Sequence, residues 1–328
     1  MKIAINGFGR IGRLVFRAGY KDPKIEFVAI NDIGDPKTLL YLLKNDSVHG
    51  KFKENIELDG NNFLIGNKKI KILSDINLET PIWKEFDVDL VIECTGQFRT
   101  KELLEKHIKA GAKKVLLSAP AKDDMKTIVM GVNDDEYDKK DTFISNASCT
   151  TNCLAPIAKI LNDNLKIKSG FMVTVHASTN DQRLLDGVHK DLRRARGVFS
   201  NIIPTSSGAT TDVIKTIPSL KGKLEGYSLR VPIEDVSIVD FVCYVEKETN
   251  VEEVNKLFYK AAKGPLKGIL EYSDEHLVSS DILENPSSSV FDSRLTKING
   301  KMVKVASWYD NEWGYSNRLI DVAKLMAD

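Results

Sequence analysis

Lys2-Ile3-Ala4-Ile5-Asn6-Gly7-Phe8-Gly9-Arg10-Ile11-Gly12 is the stretch on which the fold turns. A short apolar strand pattern, Ile3–Asn6, leads into a complete G-x-G-x-x-G, and a helical pattern over Arg10–Ala18 follows. In a strand–turn–helix of this kind the glycines have separate tasks. Gly7 makes the tight turn, Gly9 lets the backbone approach a pyrophosphate, and Gly12 lets helix and strand pack closely. The helix N-terminus supplies free N–H groups and a partial positive charge to an anion. A second strand pattern, Phe27–Asn31, ends at Asp32, 20 residues after Gly12. An acidic side chain there can accept hydrogen bonds from a ribose 2′-OH and repels a 2′-phosphate.

Working outward, strand patterns at Leu90–Cys94, Val115–Ser118, Thr127–Met130 and Phe143–Ser145 alternate with helical patterns at Thr38–Leu43 and Lys101–Ala110. Such alternation predicts a parallel sheet of βαβ units. Between them, Lys51–Leu73 reads as hairpins turning at Asp59-Gly60-Asn61-Asn62 and Gly66-Asn67. After about residue 148 the strands lengthen: Ser169–Val175, Leu224–Val231, Ser237–Val245 and Lys301–Trp308, with helices from Cys149 to about Leu161, at Thr210–Thr216 and at Val251–Ala262. The expected fold class is α/β: an N-terminal Rossmann-type parallel-sheet domain over 1–148, and an α+β domain with a mostly antiparallel sheet over 149–312. A C-terminal helix over 313–328 is expected to pack back on the first. Phe171, Val173, Val239, Phe241, Val303 and Val305 are the candidate core of the second domain.

Composition limits the function. Lys+Arg 47 against Asp+Glu 46 leaves a net charge of +1 in 328 residues, which argues against nucleic acid as a main partner. No stretch resembles a membrane span or a secretory signal, so a cytoplasmic location is expected. The four cysteines, Cys94, Cys149, Cys153 and Cys243, do not make a disulfide framework, and no second Cys/His pair at ligand spacing supports a metal site.

Cys149 follows a strand pattern and precedes an apolar helix, in Ser145-Asn146-Ala147-Ser148-Cys149-Thr150-Thr151-Asn152-Cys153. A thiol at a helix N-terminus is favoured as thiolate, the form that attacks carbonyl carbon. Local sequence leaves Cys149 open between nucleophile and core thiol, and assigns Cys94 and Cys243 to the core. Of five histidines, His176 ends an apolar strand just before a polar loop, where it is either a general base or a histidine satisfied by backbone. His107, on a Lys/Glu-rich helix, reads as solvated. Spacing does not decide among His49, His189 and His276. The loop Ser178–Asn201 carries Arg183, Arg193, Arg194 and Arg196, four of the chain's eleven Arg, and long ordered loops of this kind tend to be functional.

Taken together, GFGRIG at the N-terminus, SNASCTTNCLAP around Cys149, HASTNDQ from His176 and SWYDNEWGYSNR over Ser307–Arg318 resemble phosphorylating glyceraldehyde-3-phosphate dehydrogenases over essentially the whole chain. The resemblance implies Cys149 as nucleophile and His176 as general base, with oxidation through a thiohemiacetal and a thioester that inorganic phosphate displaces. It implies NAD held by Gly7, Phe8, Gly9, Arg10, Ile11, Gly12 and Asp32, lined by Thr95 and Ser118, with Asn311 on the nicotinamide carboxamide. It places the phosphate of glyceraldehyde 3-phosphate near Thr179 and Arg230, and the attacking phosphate near Ser148, Thr150, Ser207, Gly208 and Arg194. A homotetramer acting in glycolysis or gluconeogenesis is implied as well.

Some residues depart from the family pattern. Asn77 stands where many members have an Arg near the adenine. Gly187-Val188 replaces a pair that often ends in Pro and lies against a neighbouring subunit's adenosine ribose. These departures leave NADP open as a cofactor, while the apolar Ile33 still favours NAD. Ser178 and Ser207 replace a common Tyr and Thr, Ser207 keeping the hydroxyl. Two alternatives remain at this stage: the related erythrose-4-phosphate dehydrogenases, against which Ser178–Asp181 and Ser206–Ala209 speak, and a non-enzymatic dinucleotide- or RNA-binding role using Arg193–Arg196.

Overall fold

The computed structural model describes residues 1–327; Asp328, the end of the helix expected over 313–328, lies outside the described residues. Two compact units account for the chain. The first holds Met1–Ile128, Asp135–Ala147 and the segment from Ser316 on, and the second holds Val129–Asp134 and Ser148–Tyr315. The second unit therefore runs to Tyr315 rather than 312 and also takes in Val129–Asp134.

In the first unit the order is β1 (Lys2–Asn6), α1 (Arg10–Gly19), β2 (Glu26–Asn31), α2 (Pro36–Lys44), β3 (Asn45–Asp46), β4 (Gly50–Lys51), β5 (Ile56–Asp59), β6 (Asn62–Ile65), β7 (Lys68–Leu73), β8 (Leu90–Glu93), α3 (Lys101–Lys109), β9 (Lys114–Leu117) and β10 (Phe143–Ser145). Strands run β10-β9-β8-β1-β2-β7-β6-β5, parallel from β10 through β7 and antiparallel in the β7-β6-β5 meander. The hairpins at Lys51–Leu73 thus extend the sheet. Thr127–Met130 is not a strand; it makes only an isolated bridge from Thr127 to Ser145. The chain leaves β1 to one side for β2 and returns to its other side as β8. The strand order therefore reverses at β1/β8, the place where open α/β sheets bind ligands beyond their carboxyl ends.

The second unit comprises α4 (Cys149–Leu165), β11 (Ile167–Ala177), β12 (Ile203–Ser206), α5 (Ala209–Thr216), β13 (Leu224–Val231), β14 (Ser237–Val245), α6 (Val251–Lys263), β15 (Leu270–Ser273), β16 (Ser289–Asp292), β17 (Lys297–Asn299), β18 (Met302–Tyr309) and the start of α7 (Trp313–Ala327). Its sheet runs β12-β13-β11-β14-β18-β16-β15, with β17 on β18, and is largely antiparallel with parallel β11·β13 and β15·β16 pairs. The core lies between one sheet face and α4, α5 and α6. Leu154, Ile157, Leu161, Val213, Val254 and Phe258 pack there on Met172, Val239, Phe241, Phe291, Val303 and Val305. Phe258 and Phe291 stack 3.8 Å apart and 4° from parallel.

Two of the expected core residues are on the wrong face. Phe171 is 67% exposed and Val173 only half-buried, because β11 turns Gly170, Met172, Thr174 and His176 inward. Period-two alternation identifies two faces without saying which one the helices cover. The outer face carries Phe171, Tyr227, Tyr244 and Met302, a large apolar exposure for a sheet face.

Candidate active site

In the second unit the site is built on the end of β11 and the start of α4. Ser148 caps α4: its Oγ accepts from the Thr151 N–H at 3.1 Å. Cys149 is therefore the first helical residue, where the helix dipole favours negative charge. Ala147, just before the cap, takes φ +54, a left-handed conformation that costs a non-glycine residue about 1 kcal/mol or more and that clusters at functional turns. The Cys149 Sγ lies 3.5 Å from His176 Nε2. Register explains the third partner: in the parallel β11·β13 pair His176 stands beside Arg230. His176 Nδ1 donates to the Ala177 carbonyl at 2.8 Å, which leaves Nε2 free to accept a proton; Arg230 Nη1 donates to the same carbonyl at 3.0 Å and lies 2.8 Å from Nδ1. The Arg230 Nε is buried without a partner, an orphaned donor that an anion would satisfy.

These contacts set the charge states. Burial, opposed by Arg230, pushes the Cys149 thiol up to about 11. Burial, reinforced by Arg230, holds the His176 imidazole well below the ordinary histidine range. The site thus pairs a thiol with a neutral imidazole that can take its proton.

Around this centre the implied phosphate residues fall into separate settings. Thr179 is exposed, its N–H and hydroxyl donating to Gln182 Oε1 at 2.8 and 3.1 Å. Gly208 precedes α5, and Ser207 Oγ accepts from the Ala209 N–H at 3.3 Å. The charge of Arg194 acts on both His176 and Arg230. The Arg194 guanidinium donates to Asp181, to Thr205 Oγ1 at 2.8 Å and to the Ser206 carbonyl at 3.4 Å. Arg183 likewise holds the Val188 carbonyl and Arg196 holds Asp186. Most of the loop's arginines therefore maintain the loop. Asn311, only 4% exposed, accepts from Ser237 Oγ at 2.7 Å through its carbonyl, which leaves its amide N–H₂ to donate. Ser237 also accepts from the Ala177 N–H at 3.1 Å. It is a tie between strand end and Asn311 that no motif signals.

In the first unit the glycine turn is shaped for a dinucleotide. Gly7 has φ +90, and a Cβ there would come within 2.8 Å of Thr95. A Cβ on Gly12 would meet the Gly7 carbonyl at 2.1 Å, while one on Gly9 would meet nothing within 4 Å, leaving the open face a pyrophosphate needs. Asp32 accepts from the Phe8 N–H at 2.6 Å and the Gly34 N–H at 2.8 Å, so its carboxylate is fixed by the turn it faces. Arg10 pairs with Asp46 at 2.5 Å. Phe8 is fully buried against Phe16 and Phe63, and contributes through its backbone. Ile11 is half-buried within the first turn of α1. Ser118 follows β9 and donates its N–H to the Glu93 carbonyl at 3.0 Å. The residues present fit NAD.

Sequence reasoning missed Glu93 and misread His107, which is fully buried rather than solvated. Trp83 Nε1, which can only donate, gives its proton to His107 Nδ1 at 3.1 Å, so His107 Nε2 carries hydrogen and donates to Glu93 at 3.0 Å. Asn6 Nδ2 at 2.6 Å, the Thr95 N–H at 2.7 Å and the Thr95 hydroxyl complete four donors around a carboxylate with no solvent exposure. Glu93→Gln puts an N–H₂ among donors. It should cost about 1–3 kcal/mol, seen in urea unfolding, and weaken NAD binding in calorimetry through Thr95; unchanged values for both would show the network to be dispensable.

Comparison with known proteins matches both parts of this description. Residues 1–101 match the family model "Glyceraldehyde 3-phosphate dehydrogenase, NAD binding domain", and residues 148–311 match "Glyceraldehyde 3-phosphate dehydrogenase, C-terminal domain". The chain belongs to the glyceraldehyde-3-phosphate dehydrogenase family. Similar members include the glyceraldehyde-3-phosphate dehydrogenase of Geobacillus stearothermophilus, 54% identical over 100% of this chain and 98% of that one. Glyceraldehyde-3-phosphate dehydrogenase 2 of Nostoc sp. is 55% identical over 100% and 99%, and glyceraldehyde-3-phosphate dehydrogenase 1 of Bacillus subtilis is 52% identical over 100% and 98%. Within the family frame, the glycine turn belongs to the NAD-binding domain and the Cys149–His176–Arg230 cluster to the C-terminal domain.

Proposed function

We propose that the chain oxidises D-glyceraldehyde 3-phosphate to 1,3-bisphosphoglycerate with NAD and inorganic phosphate, as an NAD-dependent glyceraldehyde-3-phosphate dehydrogenase of glycolysis and gluconeogenesis. The observation that carries the mechanism is the Cys149 Sγ–His176 Nε2 contact of 3.5 Å at a helix N-terminus beside Arg230. His176 Nε2 takes the thiol proton as the sulfur attacks the aldehyde carbon, giving a thiohemiacetal. When bound, NAD supplies the acceptor for the hydride that leaves this carbon, and the adduct on Cys149 becomes a thioester. A phosphate oxygen then attacks the thioester carbonyl, the C–S bond breaks, and the acyl phosphate departs. Covalent capture keeps the oxidation energy that hydrolysis would lose.

Roles follow from position. The orphaned Nε of Arg230, with Thr179, suits the substrate phosphate; Ser148, Thr150, Ser207 and the backbone at Gly208 suit the attacking phosphate. Arg194, held at Asp181, Thr205 and the Ser206 carbonyl, keeps one further N–H on each of Nη1 and Nη2 for the second set. Asn311 donates to the nicotinamide carboxamide, and Gly7–Gly12, Asp32, Thr95 and Ser118 hold the rest of NAD.

Initial rates with glyceraldehyde 3-phosphate and erythrose 4-phosphate, with NAD and NADP in parallel and with phosphate present or absent, test this reading. Phosphate-dependent turnover of the first sugar with NAD is expected. Phosphate-independent oxidation, or a preference for erythrose 4-phosphate, would overturn it. The anchored Asp32 favours NAD over NADP.

The unit's exposed apolar residues suit a homotetramer: besides Phe171, the loop shows Leu185 at 77%, Leu192 at 83% and Val188 at 95% exposure. Sedimentation should give a species of four chains, and a monomer would contradict this. Among the described residues no helix is long and apolar enough to cross a membrane, in keeping with a cytoplasmic enzyme. The engagement of Arg183, Arg194 and Arg196 within their loop works against an RNA-binding role.

A further inference from the structure

We propose that the side chains of Asn31, Asn6 and Glu93 form a hydrogen-bonded bar across the dinucleotide crevice that ties its two walls together, with Asn31 as the positioning residue for the adenosine half of NAD. Register puts the three in one row at the carboxyl ends of neighbouring strands: Asn6 on β1 stands beside Asn31 on β2 and Glu93 on β8. All are buried, Asn6 at 2%, Asn31 at 5% and Glu93 at 0% exposure. Polar side chains buried in this way are costly unless they bond one another.

One backbone group fixes the sense of every bond in the row. The Asp75 N–H can only donate, and it meets Asn31 Oδ1 at 2.8 Å. Asn31 Nδ2 then gives one hydrogen to the Asp75 carbonyl at 2.8 Å and the other to Asn6 Oδ1 at 2.7 Å, so both are used. With its oxygen on Asn31, Asn6 turns Nδ2 to Glu93 and donates at 2.6 Å to a carboxylate that only accepts. The bar runs in one direction, from the Asp75 backbone to the Glu93 carboxylate.

Its ends stand on opposite sides of the point where the strand order reverses. The glycine turn for the pyrophosphate follows β1, and the acidic position for the adenosine ribose follows β2. That direction puts the adenosine half over β2 and its outer neighbour β7, and the nicotinamide half over β8. The turn after β7 is built on Asp75. Its carboxylate accepts from the N–H groups of Asn77, Glu79 and Thr80 at 3.2, 3.4 and 3.2 Å, and from the Thr80 hydroxyl at 2.8 Å. Leu78 within this turn takes φ +54, a conformation that persists only when its surroundings hold it. On the other wall Glu93 holds the N–H and hydroxyl of Thr95. Asn31 also accepts from the Gly7 N–H at 2.8 Å through its own main-chain carbonyl. One residue therefore sets the glycine turn against the adenosine wall.

This inference rests on the NAD reading, and the experiment separates the two. Asn31→Asp keeps the size of the side chain and an oxygen for the Asp75 N–H, but sets an acceptor against Asn6 Oδ1 and the Asp75 carbonyl. The readouts are calorimetric affinities for NAD and for AMP, amide exchange at Asn77, Glu79 and Thr80 in the ligand-free protein, and kcat against KM. We expect both affinities to fall about tenfold, exchange in the turn to quicken about tenfold, and KM for NAD to rise far more than kcat falls. Asn6→Ser cuts the bar in its middle and leaves the Asn31–Asp75 pairing in place; AMP should still bind about threefold more weakly or worse. Should Asn31→Asp fail to fold, Asn6→Ser decides alone. Wild-type affinity for AMP in either variant overturns the bar. A wild-type chain that binds neither NAD nor AMP instead overturns the cofactor reading.

Discussion

Cys149→Ser is expected to lower turnover of glyceraldehyde 3-phosphate by at least about 10⁴-fold, the scale on which removal of a covalent nucleophile acts. Serine is close in size, can cap or begin a helix, and leaves the half-buried position packed. It cannot present an anion of comparable nucleophilicity. Whatever His176 and the α4 N-terminus do for a thiol, a hydroxyl ionises too far above the working range to profit. An oxygen ester, once formed, would also resist displacement by phosphate more than a thioester does. NAD binding should stay within about twofold of wild type, because Gly7–Gly12 and Asp32 belong to a different unit of the chain. Calorimetry with NAD and an initial-rate assay measure the two quantities on one preparation. Turnover near the wild-type rate would remove Cys149 from the chemistry.

His176→Asn should cost roughly 10²–10⁴-fold in kcat with little change in KM, the range for loss of a positioned general base. Asparagine can still face Arg230, so the neighbouring guanidinium keeps a partner, but it cannot take a proton. The pH profile carries the sign. His176 is held below its ordinary range by burial and by Arg230, so it is unprotonated above that range. The wild-type acid limb should therefore fall below the usual histidine value of about 6.5. Without the imidazole, attack depends on spontaneous ionisation of a thiol that burial pushes up to about 11. The residual rate of the variant should then climb with pH through the alkaline range. A flat alkaline profile, or a kcat within about threefold of wild type, would show that the proton leaves by another route.

Much of the fold and part of the site could be read along the chain. The glycine turn at Gly7–Gly12 was legible because it is local: a strand end, a turn and a helix start lie within a few residues of one another. Leu224–Val231 and Ser237–Val245 were legible to the residue, since their ends are marked by turns. Thr127–Met130 was misread because an apolar, β-branched run has strand propensity over its whole length, whereas only Thr127 bridges a neighbour, Ser145 of β10. Phe171 was misread because alternation does not say which face the helices cover. His107 was misread because its helix is polar overall; its buried state depends on Glu93 and Trp83, distant in sequence and supplied only by the folded sheet.

The sequence by itself determined the family and the dinucleotide turn, because each is carried by contiguous residues whose backbone geometry is local. Only the tertiary structure decided how these residues work. Arg230 meets His176 through the parallel register of β13 on β11, and Tyr309 reaches Thr150 and Thr174 from the end of β18. Arg194, promising from composition, is held by Asp181 within its own loop. Charge states at this site follow from desolvation and from neighbours far apart in the chain, and neither quantity exists until the sheet has brought the strands together.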